Sequence, residues 1–271
     1  MKFLIRDDDT CAFTAPEELI DCYGEIWGTI PVGLAVTPFR IPGDHPAVPH
    51  RVRGMTDPLP LEQNGEITAF LREQSAAGRV EVLLHGYHHT KPRGLPEYVG
   101  ATDLVRKTRE GKAYLEQLLD CRIDTFVPPN NGIGREGLQG VVAAGLNLVN
   151  VPSLLRHGIR PFHPVNLVNY ARIRYYRTRF GMRYPHVLVF PDHREVDYFA
   201  ITPSQEMARL TDDFHRCRDR DGIFVAAVHY HAFERRLASG ETIRRALETL
   251  IEMALATPGI EFPYFRQIWS C

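Results

Sequence analysis

Residues Glu81 to Thr90 read E-V-L-L-H-G-Y-H-H-T. The apolar run Val80 to Leu84 has the length and composition of a buried strand, bounded by Gly78 and Gly86. His85, His88 and His89 follow at once. Imidazole is the commonest metal-ligating side chain, and it needs a hydrogen-bond partner or a metal when partly buried. His85 and His89, four residues apart, can converge on one ion whether the segment turns as a helix or as a tight loop; Gly86 favours the loop. A polar surface loop is the plain alternative. Three histidines at the carboxyl end of a strand favour a metal site, which still needs a carboxylate from elsewhere in the chain.

Outward from this stretch, short apolar runs alternate with helical patterns. Expected strands are Lys2 to Arg6, Val32 to Val36, Asp124 to Val127, Leu146 to Val151, Val187 to Phe190 and Ile223 to Val228, with a final short one at Ile260 to Phe262. Expected helices run from Pro16 to about Gly28, Glu66 to Ala77, Thr102 to Leu119, Arg135 to Ala144, Ser204 to Arg218 and Gly240 to Ala256. Pro16 suits a first helical turn, and Glu17 and Glu18 suit the helix dipole. Phe39 to Asn64 and Lys91 to Gly100 read as loops, the first long enough to be a lid or a substrate wall. Pro152 to Tyr184 is irregular, a loop followed by helix or strands around Val168 to Phe180. The alternation predicts an α/β fold with a parallel sheet, open or closed as a barrel. With no internal repeat and no linker, residues 1–271 read as a single domain.

In such architectures every strand delivers its next loop to one rim, where active sites are built. Asp7 to Asp9, His85 to His89, Pro129 to Asn131, Asp192-His193 and His229 to His231 all fall at expected strand ends. Three consecutive aspartates raise one another's pKa, and a cation relieves the repulsion; a solvated turn or a helix cap at Asp9 or Thr10 is the bland alternative. One of these carboxylates with His85 and His89 makes a two-histidine, one-carboxylate site with open positions. A second, unligated aspartate is then a candidate general base toward water.

Composition narrows the function classes. The chain has 271 residues, a formal net charge of -1, 44% hydrophobic and 24% charged residues, the profile of an ordinary globular protein. The charge balance gives no hint of nucleic acid or an anionic membrane as partner, and no apolar run has membrane-spanning length. The five cysteines are scattered with no C-x-x-C pair, and the first residues lack the pattern of a signal peptide, so a cytoplasmic protein with reduced thiols is expected. Oligomeric state is not legible.

Two stretches carry a family resemblance. Ile5 to Thr10 resembles the first motif of the polysaccharide deacetylases (carbohydrate esterase family 4), commonly T-F-D-D-G after a strand. Glu81 to His89 resembles their His-x-x-x-His motif. Val228-His229 is similar to the closing Leu-His motif, and Gly259 to Phe262 to the last strand. The resemblance implies a distorted parallel (β/α) barrel of about seven strands. It also implies Asp8 as catalytic base, Asp9, His85 and His89 as ligands of Zn²⁺ or another divalent metal, and His229 as general acid. Asp7 and Asp8 are the alternative register for base and ligand, and His231 the alternative acid.

The third motif, usually F-R-P-P-Y-G, departs from the pattern. Phe126 to Asn131 reads F-V-P-P-N-N, so Val127 stands where the family's base-orienting arginine belongs. Arg6, Arg135 and Arg174 are candidate substitutes. The acid-tuning Asp-x-x-Asp-Trp motif has no clear match, leaving Asp192 and Asp197 as candidates.

The expected function is metal-dependent removal of an N-acetyl group from a sugar-containing substrate, with Tyr87, Tyr230 and the Arg/Tyr cluster of the 170s as candidate groove residues. The alternatives are an esterase or amidase acting on a small metabolite and a non-catalytic sugar-binding relative.

Overall fold

The computed structural model describes residues 1–43, 48–153 and 164–270. The strands are β1 (Lys2–Thr10), β2 (Val32–Val36), β3 (Phe39–Arg40), β4 (Leu59–Pro60), β5 (Val80–Leu84), β6 (Thr125–Phe126), β7 (Asn147–Val149), β8 (Leu188–Val189), β9 (Arg194–Val196), β10 (Phe199–Ala200) and β11 (Ile223–Val228). The helices are α1 (Pro16–Tyr23), α2 (Gly65–Ala76), α3 (Glu97–Gly100), α4 (Leu104–Leu119), α5 (Arg135–Ala143), α6 (Pro164–Phe180), α7 (Met207–Arg218), α8 (Ile243–Ala256) and α9 (Phe265–Ile268). Nine strands form one sheet in the order β10-β11-β1-β2-β5-β6-β7-β9-β8. Every pair in it is parallel except β8 with β9. Among the described residues no pairing joins its two ends, so the expected α/β barrel is an open, mostly parallel sheet.

Alternation along the strands separates two cores. Phe3, Ile5, Leu34 and Val82 face the helices and pack with Leu19, Leu115 and Leu250. Leu4, Leu83, Val127 and Val225 form a smaller cluster on the other face with Phe265, Ile268 and Trp269. The C-terminal segment fills that inner face near the starts of the strands. Gly33 has no Cβ, and one built there would lie 2.5 Å from the Phe265 ring. Glu81 accepts the Phe265 and Arg266 amides at 2.5 and 2.9 Å, and the Trp269 indole donates to Thr125 at 2.8 Å. With this end sealed, the carboxyl ends of the strands are left for chemistry.

Several expectations shift. β1 runs through all three aspartates rather than stopping at Arg6, and α1 begins only at Pro16, so neither Asp9 nor Thr10 caps it. Val187 to Phe190 yields β8, an antiparallel edge strand; β9 is the strand that joins the parallel ladder. Pro191 to His193 is therefore a hairpin turn and not part of the rim. Ile260 to Phe262 makes only a single bridge, Glu261 to Lys2. The loop expected after Pro152 lies largely outside the described residues, and the ambiguous stretch beyond it is the helix α6.

Candidate metal centre and active site

The parallel strands β11, β1, β2, β5 and β6 are consecutive in the sheet, so their carboxyl ends share one edge. Asp8 and Asp9 come from β1, His85 and His89 follow β5, Asn131 follows β6, and His229 and His231 follow β11. They meet around a cavity of about 540 Å³, whose wall includes Arg40 to Gly43 from the long loop.

The three aspartates separate by strand alternation and one irregularity. Asp7 points to the helix side, is fully buried, and accepts a hydrogen bond from the Tyr23 hydroxyl. Burial holds its pKa well above the usual carboxylate range, with Asp8 and Asp9 adding to the rise. Asp8 points the other way, beside Arg6 two residues earlier on the same strand face. Between Asp7 and Thr10 the register with β2 slips, and Asp9 takes a φ of +81°, which turns its carboxylate toward the histidines. Asp7 is thereby removed from the site, and the Asp8 and Asp9 register is the one whose carboxylates face the cavity.

Asp9 sits among imidazoles. Its Oδ1 lies 2.9 Å from His89 Nε2 and 3.5 Å from His85 Nε2; its Oδ2 lies 3.1 Å from His231 Nε2 and 3.9 Å from His229 Nε2. Burial would raise the Asp9 pKa, but the imidazoles around it, His89 foremost and His231 through its hydrogen bond, take it well below the usual range. Burial pushes His89 down to about 4, so this ring is neutral at pH 7 and has a lone pair to offer. Ligand atoms of Asp9, His85 and His89 all lie within 4.8 Å of one another.

The ring orientation of His85 tests whether a cation fits. Its Nδ1 is 3.0 Å from the Val127 carbonyl, which can only accept, so Nδ1 carries the proton. Nε2 then presents its lone pair toward Asp9 Oδ1, and both atoms are buried without a hydrogen-bond partner. Two facing lone pairs repel; a divalent cation between them turns that repulsion into coordination. The donor set, two imidazoles and a carboxylate, suits zinc and related metals.

The loop carrying the histidines is held by a residue that sequence reasoning missed. Glu97, almost wholly buried at the start of α3, accepts the amides of Tyr87 and His89 on Oε2 at 3.2 and 2.9 Å and of His88 on Oε1 at 2.9 Å. Gly86, at φ +69°, lets this turn press against α3 and the Pro129 turn that follows β6. A Cβ there would lie 2.2 Å from Pro129 and 2.7 Å from Glu97 Oε2. His89 itself sits at φ +56°, a strained conformation that these bonds maintain. His88 leaves the cluster and binds the Phe39 carbonyl with its Nδ1.

Of the three candidate substitutes for the absent arginine, Arg6 is the one bonded to Asp8. It is fully buried, donates through Nε to Asp8 Oδ1 at 2.7 Å and through Nη2 to Asp8 Oδ2, and reaches Asn131 Oδ1 at 2.8 Å. Its guanidinium lies 4.5 Å from the centre of the Tyr198 ring. Burial opposes ionisation of Asp8, but the Arg6 charge, with His85 and His229, outweighs it and keeps the carboxyl below its ordinary pKa. Neither Arg135 nor Arg174 lines the cavity. Burial lowers the His229 pKa, partly opposed by Asp8 and Asp9.

Other candidates fall outside the site. Asp192 pairs with His193 in the β8–β9 turn, and Asp197 with Arg183. Tyr87 donates to Glu110, Tyr230 bonds Thr14 in the interior, and neither they nor the α6 residues line the cavity.

Searches by sequence find no matching family model and no matching curated protein. Solved structures do match. A protein assigned as a polysaccharide deacetylase from Mycobacterium smegmatis superposes with a TM-score of 0.58 over 99% of this chain and 88% of its own, at 13% identity. The chain has the polysaccharide-deacetylase fold. The Xyl-CE4 domain of a multidomain xylanase from the hindgut metagenome of Trinervitermes trinervoides gives a TM-score of 0.49 over 99% and 89% at 10% identity. The 4-alpha-glucanotransferase from Thermococcus litoralis shares the architecture at a TM-score of 0.54 over 100% of this chain and 40% of its own, at 12% identity.

Proposed function

We propose that this protein is a metal-dependent hydrolase that removes an N-acetyl group from a sugar-containing substrate. The observation that carries the proposal is the pair of unpartnered buried atoms, His85 Nε2 and Asp9 Oδ1, facing each other at 3.5 Å beside an Asp8 clamped by Arg6. Asp9, His85 and His89 would hold the metal, Zn²⁺ or another divalent ion. When bound, it supplies Lewis acidity toward the acyl carbonyl and lowers the pKa of water. Asp8, ionised and unligated, takes a proton from the attacking water as its oxygen bonds to the acyl carbon. Arg6 keeps Asp8 in one orientation through that transfer. His229 acts in that step as imidazolium, a form that the Asp8 and Asp9 charges favour against burial, and gives its proton to the nitrogen as the C–N bond breaks, releasing acetate and the amine; the proton taken by Asp8 then restores it, and His231 is the alternative donor. The wall formed by Arg40 to Gly43 bounds a cavity of about 540 Å³, which favours a small N-acetylated sugar over a polymer chain.

Elemental analysis joined to an acetate-release screen of N-acetylated sugars tests this reading. About one metal per chain is expected, lost in His85→Ala/His89→Ala and kept in Asp8→Asn, whose turnover falls on the order of 100-fold or more. A chain that takes up no metal from excess ion would refute the site. Full turnover in Asp8→Asn would remove Asp8 as the base, and metal binding with no acetate released from any sugar would favour a non-catalytic binding protein.

A further inference from the structure

Among the described residues, Arg40 is a buried cation without a closely matched anion. It sits on β3, 8% exposed, and lines the cavity beside Asp9. Its contacts there are long, with Nη1 3.5 Å from the His89 carbonyl and 3.7 Å from Asp9 Oδ1, while Nε is buried with no partner. A guanidinium withdrawn from water ordinarily finds a carboxylate or phosphate that fills its planar fork. Neither cavity aspartate is available for that. Asp8 is taken in bidentate fashion by Arg6, and Asp9 is shared among the imidazoles.

A divalent ion at Asp9 deepens the imbalance. Asp8 and Arg6 cancel, Asp9 offsets half of the metal's charge, and the three ligand side chains add no other negative charge, so Arg40 remains as surplus positive charge beside a cation. Lys91 and Arg235 add further positive charge at exposed positions on the same cavity. Across it, half-buried Pro203, backed by buried Ile201 and Ile243, supplies apolar surface suited to a sugar ring or an acyl methyl. The complement of such a cavity is a molecule with an apolar body and an anionic arm.

We propose that the substrate is an anionic N-acylated sugar, bearing a carboxylate or a phosphate, and that Arg40 pairs with that charge. This rests on the hydrolase reading for the acyl group but not for the charge. Arg40 offers two parallel N–H donors to either anion, and the low dielectric of the site strengthens the pair.

The test is calorimetric binding of N-acetylglucosamine, N-acetylglucosaminuronic acid and N-acetylglucosamine 1-phosphate to zinc-loaded and to chelator-stripped protein, alongside acetate release. One of the charged sugars should bind at least about tenfold more tightly than the neutral one, with the preference shrinking as salt rises. The winner distinguishes a ring carboxylate from an anomeric phosphate. Arg40→Gln should abolish the preference, Arg40→Lys should restore part of it, and the exposed Arg235→Gln should reduce it by roughly twofold to threefold without disturbing the fold. Equal affinity for neutral and charged sugars, no binding of either charged sugar, or a preference that survives Arg40→Gln would overturn the proposal. Failure of the hydrolase reading is separately visible as absent metal uptake and absent acetate, because the charge preference is also read on stripped protein.

Discussion

Replacing Glu97 by Gln should loosen the histidine loop without touching a metal-binding atom. The carboxylate accepts three amides, two on Oε2 and one on Oε1, so a single amide oxygen can keep at most two of them. With the amide oxygen at the Oε2 position, the Tyr87 and His89 bonds persist in weaker, neutral form. The His88 amide then faces an NH₂ group and loses its acceptor. An unmet buried donor costs about 1–3 kcal/mol and a charged acceptor is worth roughly twice a neutral one, so a loss of about 2–4 kcal/mol is expected. Part of that loss falls on His89, whose left-handed backbone depends on these bonds, and supporting residues of this kind typically change metal affinity by about 10–100-fold. Urea denaturation of the stripped protein measures the first effect, and competition for zinc against a chelator of known affinity measures the second. Glu110→Gln is the control: Glu110 is also bonded to Tyr87, through its hydroxyl, but is exposed, and a change within about 0.5 kcal/mol is expected. If Glu97→Gln behaves like Glu110→Gln in both assays, the loop is held by something other than these three bonds.

Arg6→Met should destabilise the protein by about 3–5 kcal/mol, because it leaves the buried Asp8 charge unpaired; the double variant Arg6→Met/Asp8→Asn should recover much of this in urea denaturation, and metal stoichiometry should hold in both. Recovery of nothing in the double variant would show that Arg6 acts through Tyr198 and Asn131 rather than through Asp8. Glu81 predicts a pH effect: burial pushes its pKa up to about 7 from an ordinary 4.5, although the Arg266 and Phe265 amides pull it down. A carboxyl with a raised folded pKa favours the folded state fully below the unfolded pKa and loses that contribution as pH rises through the folded one. Stability should therefore fall by about 3 kcal/mol between pH 4.5 and 7 from this group, and the difference in unfolding free energy between wild type and Glu81→Gln should slope across that window. A parallel pair of pH profiles would refute the assignment.

Much of the fold was legible because its signals are local. Ile223 to Val228 and Val80 to Leu84 are continuous apolar runs, and both are observed strands with the expected bounds. Val187 to Phe190 misled for the same reason, since periodicity cannot tell a parallel strand from the edge of a hairpin. Asp9, His85 and His89 were legible because chemistry-bearing side chains collect at strand ends, and they do converge. Glu97 left no such signal: its role depends on a helix of four residues folding back against a loop ten residues away. Arg40 was equally silent, one arginine in a long loop, until the loop became a cavity wall.

An arginine at position 6 and a valine at position 127 have a packing logic. Alternation places Arg6 on the same face of β1 as Asp8, so the guanidinium reaches its carboxylate without leaving the strand. An arginine at position 127 would put a second guanidinium into the buried inner cluster while Asp8 is already paired with Arg6, and a buried cation left unpaired is costly. With Arg6 present, position 127 is better filled by an apolar residue, and Val127 is fully buried in the inner cluster with Leu83 and Val225. Its backbone keeps a function, because the Val127 carbonyl sets the His85 tautomer. The departure at the third motif is thus compatible with a firmly held Asp8, and Asn131, bonded to Arg6 at 2.8 Å, ties that motif to β1.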